Sequence, residues 1–451
     1  MTTGFAAVDA LTLSDRLPDG TECGAVVPPD WNGTLLLDLD FLTAWQSPTY
    51  QMLFAQGYAG AGTVRNYTDP SGGQHLRPWV ERVLAVADRI AAFSGKPERV
   101  VAWGVSRGGH VALAAAQLHP ERIDGAIPRG IYGGAATLMN QDLDLMSALK
   151  ALLAPKDDRL PVVNLSSRPA TPMPTGLEPG LSAWNKVVAD ALENPQGRAR
   201  LALAAALAQL PDWADGSVPR PAPDDEEAIA DGWIQNIISR IGPIGTFSFM
   251  RPAFETSAGG NFSWNAGVDY YGLLTGRRRE LVERLHRAAG LDLGDDLETI
   301  GSAARISPEP GAAWFLRDAS VNFGGGLRVP TLTTTTIGDP LLPVSGLDAL
   351  RQAVRRDGGE DMLRMTFIEA AGHCAFSPGE DLALVAAMTR RLDAGGWGNF
   401  TSPDEMNARA AQLDTSGGRF ACHDLEPFGR AHLLGDPTPD CQPAQIDGAA
   451  R

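Results

Sequence analysis

Cysteine is scarce in this chain, with four in 451 residues. Cys23, Cys374, Cys422 and Cys441 have neither CxxC nor metal-ligand spacing, which excludes a disulfide scaffold and a zinc module. Cys422 and Cys441 could pair if a mature form is exported; reduced thiols are the expected state. Basic residues are also short, 38 Lys+Arg against 54 Asp+Glu, for a formal net charge of -16. That excess repels phosphate backbones and anionic lipid surfaces, so neither nucleic acid nor a membrane is expected as a partner. The start, MTTGFAAVDALTLSDRL, has no basic n-region and no continuous apolar run. No stretch approaches the roughly 18 apolar residues of a membrane span, and a soluble, cytoplasmic protein is expected. HExxH, a GxGxxG after a strand and the P-loop are all missing, so no metal and no cofactor is expected. No repeat at a solenoid or propeller period is visible.

What is present is the composition of a folded globular protein, 44% apolar and 20% charged. The length calls for one large core with an insertion, or for two domains. Leu11 to Pro29 reads as two short strands around the turn Pro18-Asp19-Gly20. The runs GTLLLDLDF, GYAGAGTV and RVVAWGVS read as strands. LRPWVERVLAVADRIAAFSG reads as a helix closed by Gly95, and GGHVALAAAQLHPERI as a helix ended at His119-Pro120. This alternation predicts a mostly parallel sheet with helices on both faces, an α/β fold. It fails from about Ala135 to Gly326, where helical, Trp-bearing and Pro-rich segments follow one another. It resumes at RVPTLTTTTIGDP and LRMTFIEAAG, with the helical pattern SGLDALRQAVRRDGG between them and EDLALVAAMTRRLDAGG after. The expected organisation is therefore a core of residues 1–132 and 327–395, a largely helical insertion at 133–326, and a loop-rich tail at 396–451 packed on the core.

Gly104-Val105-Ser106-Arg107-Gly108 fits G-x-S-x-G, a pattern that glycine-rich chains produce readily by chance. Its setting carries more weight, because it falls between a Val-rich strand and a helix, where a sharp turn lifts a serine hydroxyl above the sheet edge. Such a turn crowds the backbone two residues away on either side, which favours residues without a Cβ there. A serine hydroxyl is a weak nucleophile and needs a base that is itself oriented by a carboxylate. Of the seven histidines, His110 and His119 lie on the elbow helix, His75 opens a helix, His286 is in a basic helix of the insertion, and His423 and His432 are in the tail. His373 alone follows a late strand by a short loop. Asp339 sits just past another strand; the alternatives are Glu369, read as within its strand, and Asp348, read as helical.

WGVSRGG, GDPLLPV and EAAGHCAF, in the order Ser106, Asp339, His373, resemble the elbow, acid loop and histidine loop of the α/β-hydrolase superfamily. The resemblance covers residues 1–132 and 327–395 and implies that residues 133–326 form a cap. It implies acyl transfer, with Ser106 as nucleophile, His373 as general base, Asp339 as its orienting acid, and the Arg107 N–H as one oxyanion donor. The superfamily often carries His-Gly after the strand here read as TLLL, whereas this chain has Asp40-Phe41. The second donor is then expected from Phe41 or Leu42, and Asp40 is either structural or a substrate contact. In the insertion, Trp264, Tyr270 and Tyr271 are candidates for an aromatic wall over the cleft, while Arg277, Arg278 and Arg279 read as a solvated face balanced by Glu280 and Glu283. The expected substrate is an ester or lactone of a bulky, largely apolar small molecule. Amide or cyclic-peptide hydrolysis, acyl transfer and C–C cleavage use the same machinery, and a non-catalytic binding protein is the reading from another class. A homo-oligomer is compatible with the sequence.

Overall fold

In a computed structural model, residues 10–65, 74–165, 179–414 and 417–431 are described. Nine strands form one sheet in the order β1-β2-β4-β3-β5-β6-β7-β8-β9. The opening hairpin pairs β1 (Leu11–Arg16) with β2 (Glu22–Val27), and β2 continues antiparallel onto β4 (Ala59–Thr63). From β4 the sheet runs parallel through β3 (Thr34–Asp38), β5 (Arg99–Val105), β6 (Gly125–Arg129), β7 (Thr331–Gly338) and β8 (Leu363–Ala371). β3 and β7 are buried at every position, as continuous apolar or threonine runs must be when helices cover both faces.

The helices follow from capping and spacing. The short helix α1 (Phe41–Ala44) and helix α2 (Pro48–Ala55) follow β3. α3 (Arg77–Ser94) buries Trp79, Val80, Val83, Leu84, Ala87 and Ile90 along one stripe and stops at Gly95, whose φ of 100° is cheap only for glycine. α4 (Arg107–Leu118) packs with α3 on one face of the sheet, in one apolar cluster. On the other face lie α2 and the helix Pro378–Ala394, in a second cluster. That helix begins with a capping box between Ser377 and Glu380 and ends at the left-handed Gly395.

Between β6 and β7 the chain is helical, starting with α5 (Ala135–Leu153), and it has an apolar cluster of its own around Trp184, Leu203, Ile237 and Val282. The chain after Trp397 departs from the loop-rich reading. Ser402 caps a helix at Pro403–Leu413, and Phe420–Ala421 add an antiparallel edge strand, β9, to β8. The helix buries only Met406 and Ala410. So narrow a stripe gives a weak periodic signal, and the helix gains its stability from tertiary packing. Cys441 and His432 lie outside the described residues. Among those described, no helix is long and apolar enough to cross a membrane, and no group of three or more His, Cys, Asp or Glu side chains could hold a metal ion.

Candidate active site

Ser106 takes φ 54° and ψ -119°, a strained conformation for a residue with a Cβ. Two bonds hold the turn: Ser106 N–H donates to the Arg129 carbonyl at 2.9 Å, and His110 N–H donates to the Ser106 carbonyl at 3.0 Å. The glycines around it have different reasons. A Cβ on Gly104 would run into the backbone of Gly108, and one on Gly109 would meet the Arg129 carbonyl at 2.6 Å. At Gly108 the neighbours are softer, the Asp40 and Asp38 carboxylates at 3.2 and 3.3 Å. The crowding expected equally on both sides of the serine is therefore severe at Gly104 and Gly109 and mild at Gly108.

Below the turn, the Arg129 guanidinium stacks on Trp103 with 3.6 Å to the ring centroid, pairs with Asp381, and donates through Nε to the Gly104 carbonyl at 3.3 Å. Arg129 and Asp381 are both buried, so each charge depends on the other. Asp381 also accepts from Thr49 at 3.2 Å.

His373 and Asp339 reach the same rim. A register shift between Thr336 and Gly338 precedes the last β7–β8 pair, Gly338 with Ala371, and Asp339 is the next residue after the strand. The His373 loop is tied back to β7, with Gly372 N–H on the Gly338 carbonyl at 2.9 Å and the Thr336 hydroxyl on the Gly372 carbonyl at 2.7 Å. Asp339 is fully buried; Oδ1 accepts from the N–H groups of Leu341 and Leu342, both at 2.9 Å, and Oδ2 lies 2.7 Å from His373 Nδ1. His373 Nε2 in turn lies 2.9 Å from Ser106 Oγ. Burial opposes a charged imidazole, but the Asp339 charge and hydrogen bond, with Cys374 adding to them, outweigh it, so the imidazolium is held above its ordinary value of 6.5. Glu369 lies within β8 and Asp348 is helical, the latter engaged by Arg351.

The remaining described histidines have other partners. His110 Nε2 accepts from the Tyr132 N–H at 3.0 Å, and burial keeps its ring neutral by pushing its pKa well down. His75 faces Asp318, His119 faces Glu81, and His286 faces Asp296. His423 packs edge-on to Phe367.

Against this geometry, sequence comparison gives a relative with a name. The chain is 32% identical over 423 residues to the o-phthalyl amidase of Xanthobacter agilis, an alignment that covers 88% of this chain and 91% of the amidase. The chain belongs to the α/β-hydrolase superfamily. No family model matches it. Similar solved structures include an esterase from Aspergillus oryzae (13% identity, 86% of this chain and 80% of that one, TM-score 0.35) and lipase A of Candida antarctica in its closed state (11%, 90% and 86%, 0.36). An esterase of Pyrococcus furiosus gives 11%, 85% and 91%, with a TM-score of 0.37.

In this hydrolase the turn after β3 packs directly on the first turn of α4. β3 pairs with β5 as far as Leu37 and Ala102, and beyond that pair a Cβ on Gly108 would stand 3.2 Å from Asp40, 3.3 Å from Asp38 and 3.9 Å from Leu39. Asp40 is held by Arg65 through two bonds of 2.6 and 2.7 Å. Its charge is thus committed to a neighbouring guanidinium. The Asp40 N–H donates to Asp38 Oδ1 at 2.9 Å, whereas the Phe41 N–H has no acceptor among the described residues. Burial first, then the Asp40 charge, lift the buried Asp38 carboxyl to about 6, against the Asp40 N–H, Tyr50 and Arg129.

The aromatics of the insertion do not form one wall. Trp264 belongs to the large apolar cluster beside the sheet, while Tyr270 belongs to the insertion's own cluster and donates to Asp144 at 2.8 Å. Arg430 joins them from the tail, pairing with Asp144 and with the Trp264 carbonyl. Tyr271 is 57% exposed and lies under Arg279, 4.4 Å from the ring centroid. Arg279 also pairs with Glu283, and Arg278 with Glu426.

Sequence reasoning missed Cys374, which was weighed only for disulfide and metal spacing. Its φ is 61°, and its Sγ lies 3.3 Å from His373 Nε2. Gly130 supplies the space, since a Cβ there would sit 2.8 Å from that sulfur. It also missed Asp38, although the D-x-D after an apolar strand was in view.

Proposed function

We propose that this chain is a serine hydrolase that opens a carboxylic acyl bond of a small molecule through an acyl-enzyme on Ser106. The observation that carries the reading is the unbroken chain Asp339 Oδ2, His373 Nδ1, His373 Nε2, Ser106 Oγ, with links of 2.7 and 2.9 Å. Asp339 keeps the proton on Nδ1, so Nε2 offers its lone pair to the serine O–H. As Ser106 Oγ bonds to the carbonyl carbon, its proton passes to Nε2 and the new imidazolium is stabilised by Asp339. The N–H groups of Arg107 and Phe41 receive the oxyanion. His373 then gives the proton to the leaving group, and water, activated by the same imidazole, releases the acid and restores the serine.

The sequence alone placed an ester or lactone first, because its leaving group is the better one. The 32% likeness to an enzyme named for an amide bond and an o-phthalyl group supports an amide of a compact aromatic acid as the natural bond, with the ester second. The helices between β6 and β7 act as the cap in this reading, with Tyr270 and Tyr271 outside the substrate contacts. A fluorophosphonate probe tests the chemistry: it should label wild-type protein at Ser106 and leave Ser106→Ala untouched. A folded wild-type protein that never labels would instead favour a binding protein. The p-nitroanilide and p-nitrophenyl ester of one phthalyl acyl group, compared by kcat/KM, separate amide from ester preference.

A further inference from the structure

The second oxyanion donor stands on a turn that lacks the small residue often found there, so something else must aim it. We propose that Asp38 is the positioning residue of this turn: its buried carboxylate, braced by Tyr50, fixes the Asp40 amide and so presents the Phe41 N–H to the carbonyl attacked by Ser106. The proposal rests on the serine-hydrolase reading above.

Asp38 ends β3, is 3% exposed, and uses both oxygens, Oδ1 on the Asp40 N–H at 2.9 Å and Oδ2 on the Tyr50 hydroxyl at 2.8 Å. One carboxylate therefore ties the last strand residue to the amide two positions on and to a separate helix, α2. The other polar groups of the turn are also engaged. The Leu39 carbonyl accepts from Thr63 Oγ1 at 3.2 Å, and the Asp40 carbonyl accepts from the Thr43 and Ala44 N–H groups at 3.0 and 3.1 Å. The Phe41 side chain cannot swing, because its ring meets Tyr50 edge to face with centroids 5.3 Å apart and abuts Gly60 of β4, while its Cβ lies against Gly62. Freed of Asp38, the Asp40 N–H would lose its acceptor in a buried turn and the Leu39–Asp40 peptide its anchor; the Asp40–Phe41 peptide, tied through the Asp40 carbonyl to the Thr43 and Ala44 N–H groups, would then shift together with the first turn of α1. A donor aimed a few tenths of an ångström away from the developing oxyanion loses most of its value in the transition state while ground-state binding is little changed.

The test uses the full chain with p-nitrophenyl acetate as substrate and phenylboronic acid as a probe of the tetrahedral state. Asp38→Ala should lower kcat by roughly 10²–10³-fold with KM within about 3-fold, the range for loss of one oxyanion donor. Its affinity for phenylboronic acid should fall alongside. Asp38→Asn, which keeps an oxygen acceptor for the Asp40 N–H, should recover all but about 10-fold of kcat. Folded Asp38→Ala with kcat within about 3-fold of wild type overturns the proposal, as does an Asp38→Asn as impaired as Asp38→Ala. If Asp38→Ala does not fold, Tyr50→Phe decides: a lower kcat at unchanged KM supports the role, and a lower Tm at unchanged kcat overturns it. Turnover that survives in Ser106→Ala overturns the underlying reading instead, and that outcome does not involve Asp38.

Discussion

The carboxyl-end rim of the parallel strands and the helical stretch between β6 and β7 use buried polar groups for opposite ends. On the rim, Asp339, His373 and Asp38 each hold a specific atom near Ser106, and backbone N–H groups bear on each of their positions: Leu341 and Leu342 N–H on Asp339, Gly372 N–H on Gly338, and Asp40 N–H on Asp38, which the Tyr50 hydroxyl also braces. In the insertion, Asp144 accepts from Tyr270 and, from the tail, Arg430, and Asp142 is spent on Arg240 and Thr246. Backbone-fixed groups keep an aim, whereas groups that satisfy one another keep a shape. This difference predicts where substitutions cost turnover and where they cost only stability.

The largest effect should come from Asp339→Asn. With the carboxylate gone, His373 loses its tautomer control, and kcat should drop by roughly 10⁴-fold while the fold persists. The pH dependence carries the sign. Only neutral His373 can take the serine proton, and its imidazolium is held above 6.5, so in the wild type kcat/KM should rise with pH along a limb lying above that value. Removing the Asp339 charge should move the limb down. The shift also links to folding: the stability it contributes is fully present below pH 6.5 and is lost as pH rises through the raised folded-state value. A limb unmoved in Asp339→Asn would mean that the rim does not aim its groups as argued.

Next in size is Gly104→Ala, whose Cβ would collide with the Gly108 backbone; it should cost about 3 kcal/mol in thermal unfolding and most of the activity. Gly108→Ala should cost about 1 kcal/mol, because its Cβ would stand 3.2 and 3.3 Å from the Asp40 and Asp38 carboxylates and not 2.4 Å from backbone, as at Gly104. Equal costs would return the elbow to the symmetric crowding read from the motif.

That asymmetry marks how far the sequence could be read. The hairpin at Pro18-Asp19-Gly20, the strand and helix around Ser106, and the resumption of strands at Thr331 were legible because local periodicity and turn chemistry dictate them. His373 and Asp339 were legible because each follows a strand by a short loop, so the sheet itself brings them to one rim. Gly109, Cys374 and Asp38 were not, because their roles depend on which segment packs against them: β6 for Gly109, Gly130 for Cys374 and Tyr50 for Asp38. Composition marked Trp264, Tyr270 and Tyr271 as a group. Nothing local in the sequence says that two of them face buried clusters and the third faces water.

In the insertion, Tyr270→Phe should lower stability by about 1–2 kcal/mol, since Asp144 loses a donor in a fully buried position, and should leave kcat unchanged. Unfolding midpoints and steady-state rates on one preparation separate the two. A selective loss of kcat would show that this network also aims a group at the substrate, and the contrast between rim and insertion would break at Tyr270.

Tyr271→Ala should be the smallest change, within about 0.5 kcal/mol in stability and without effect on kcat or KM. The ring is exposed, and its partner Arg279 keeps Glu283. A cation over an exposed ring contributes about 0.5–1 kcal/mol at most. If KM rose several-fold in Tyr271→Ala while unfolding stayed put, the substrate would have to reach the outer face of the insertion.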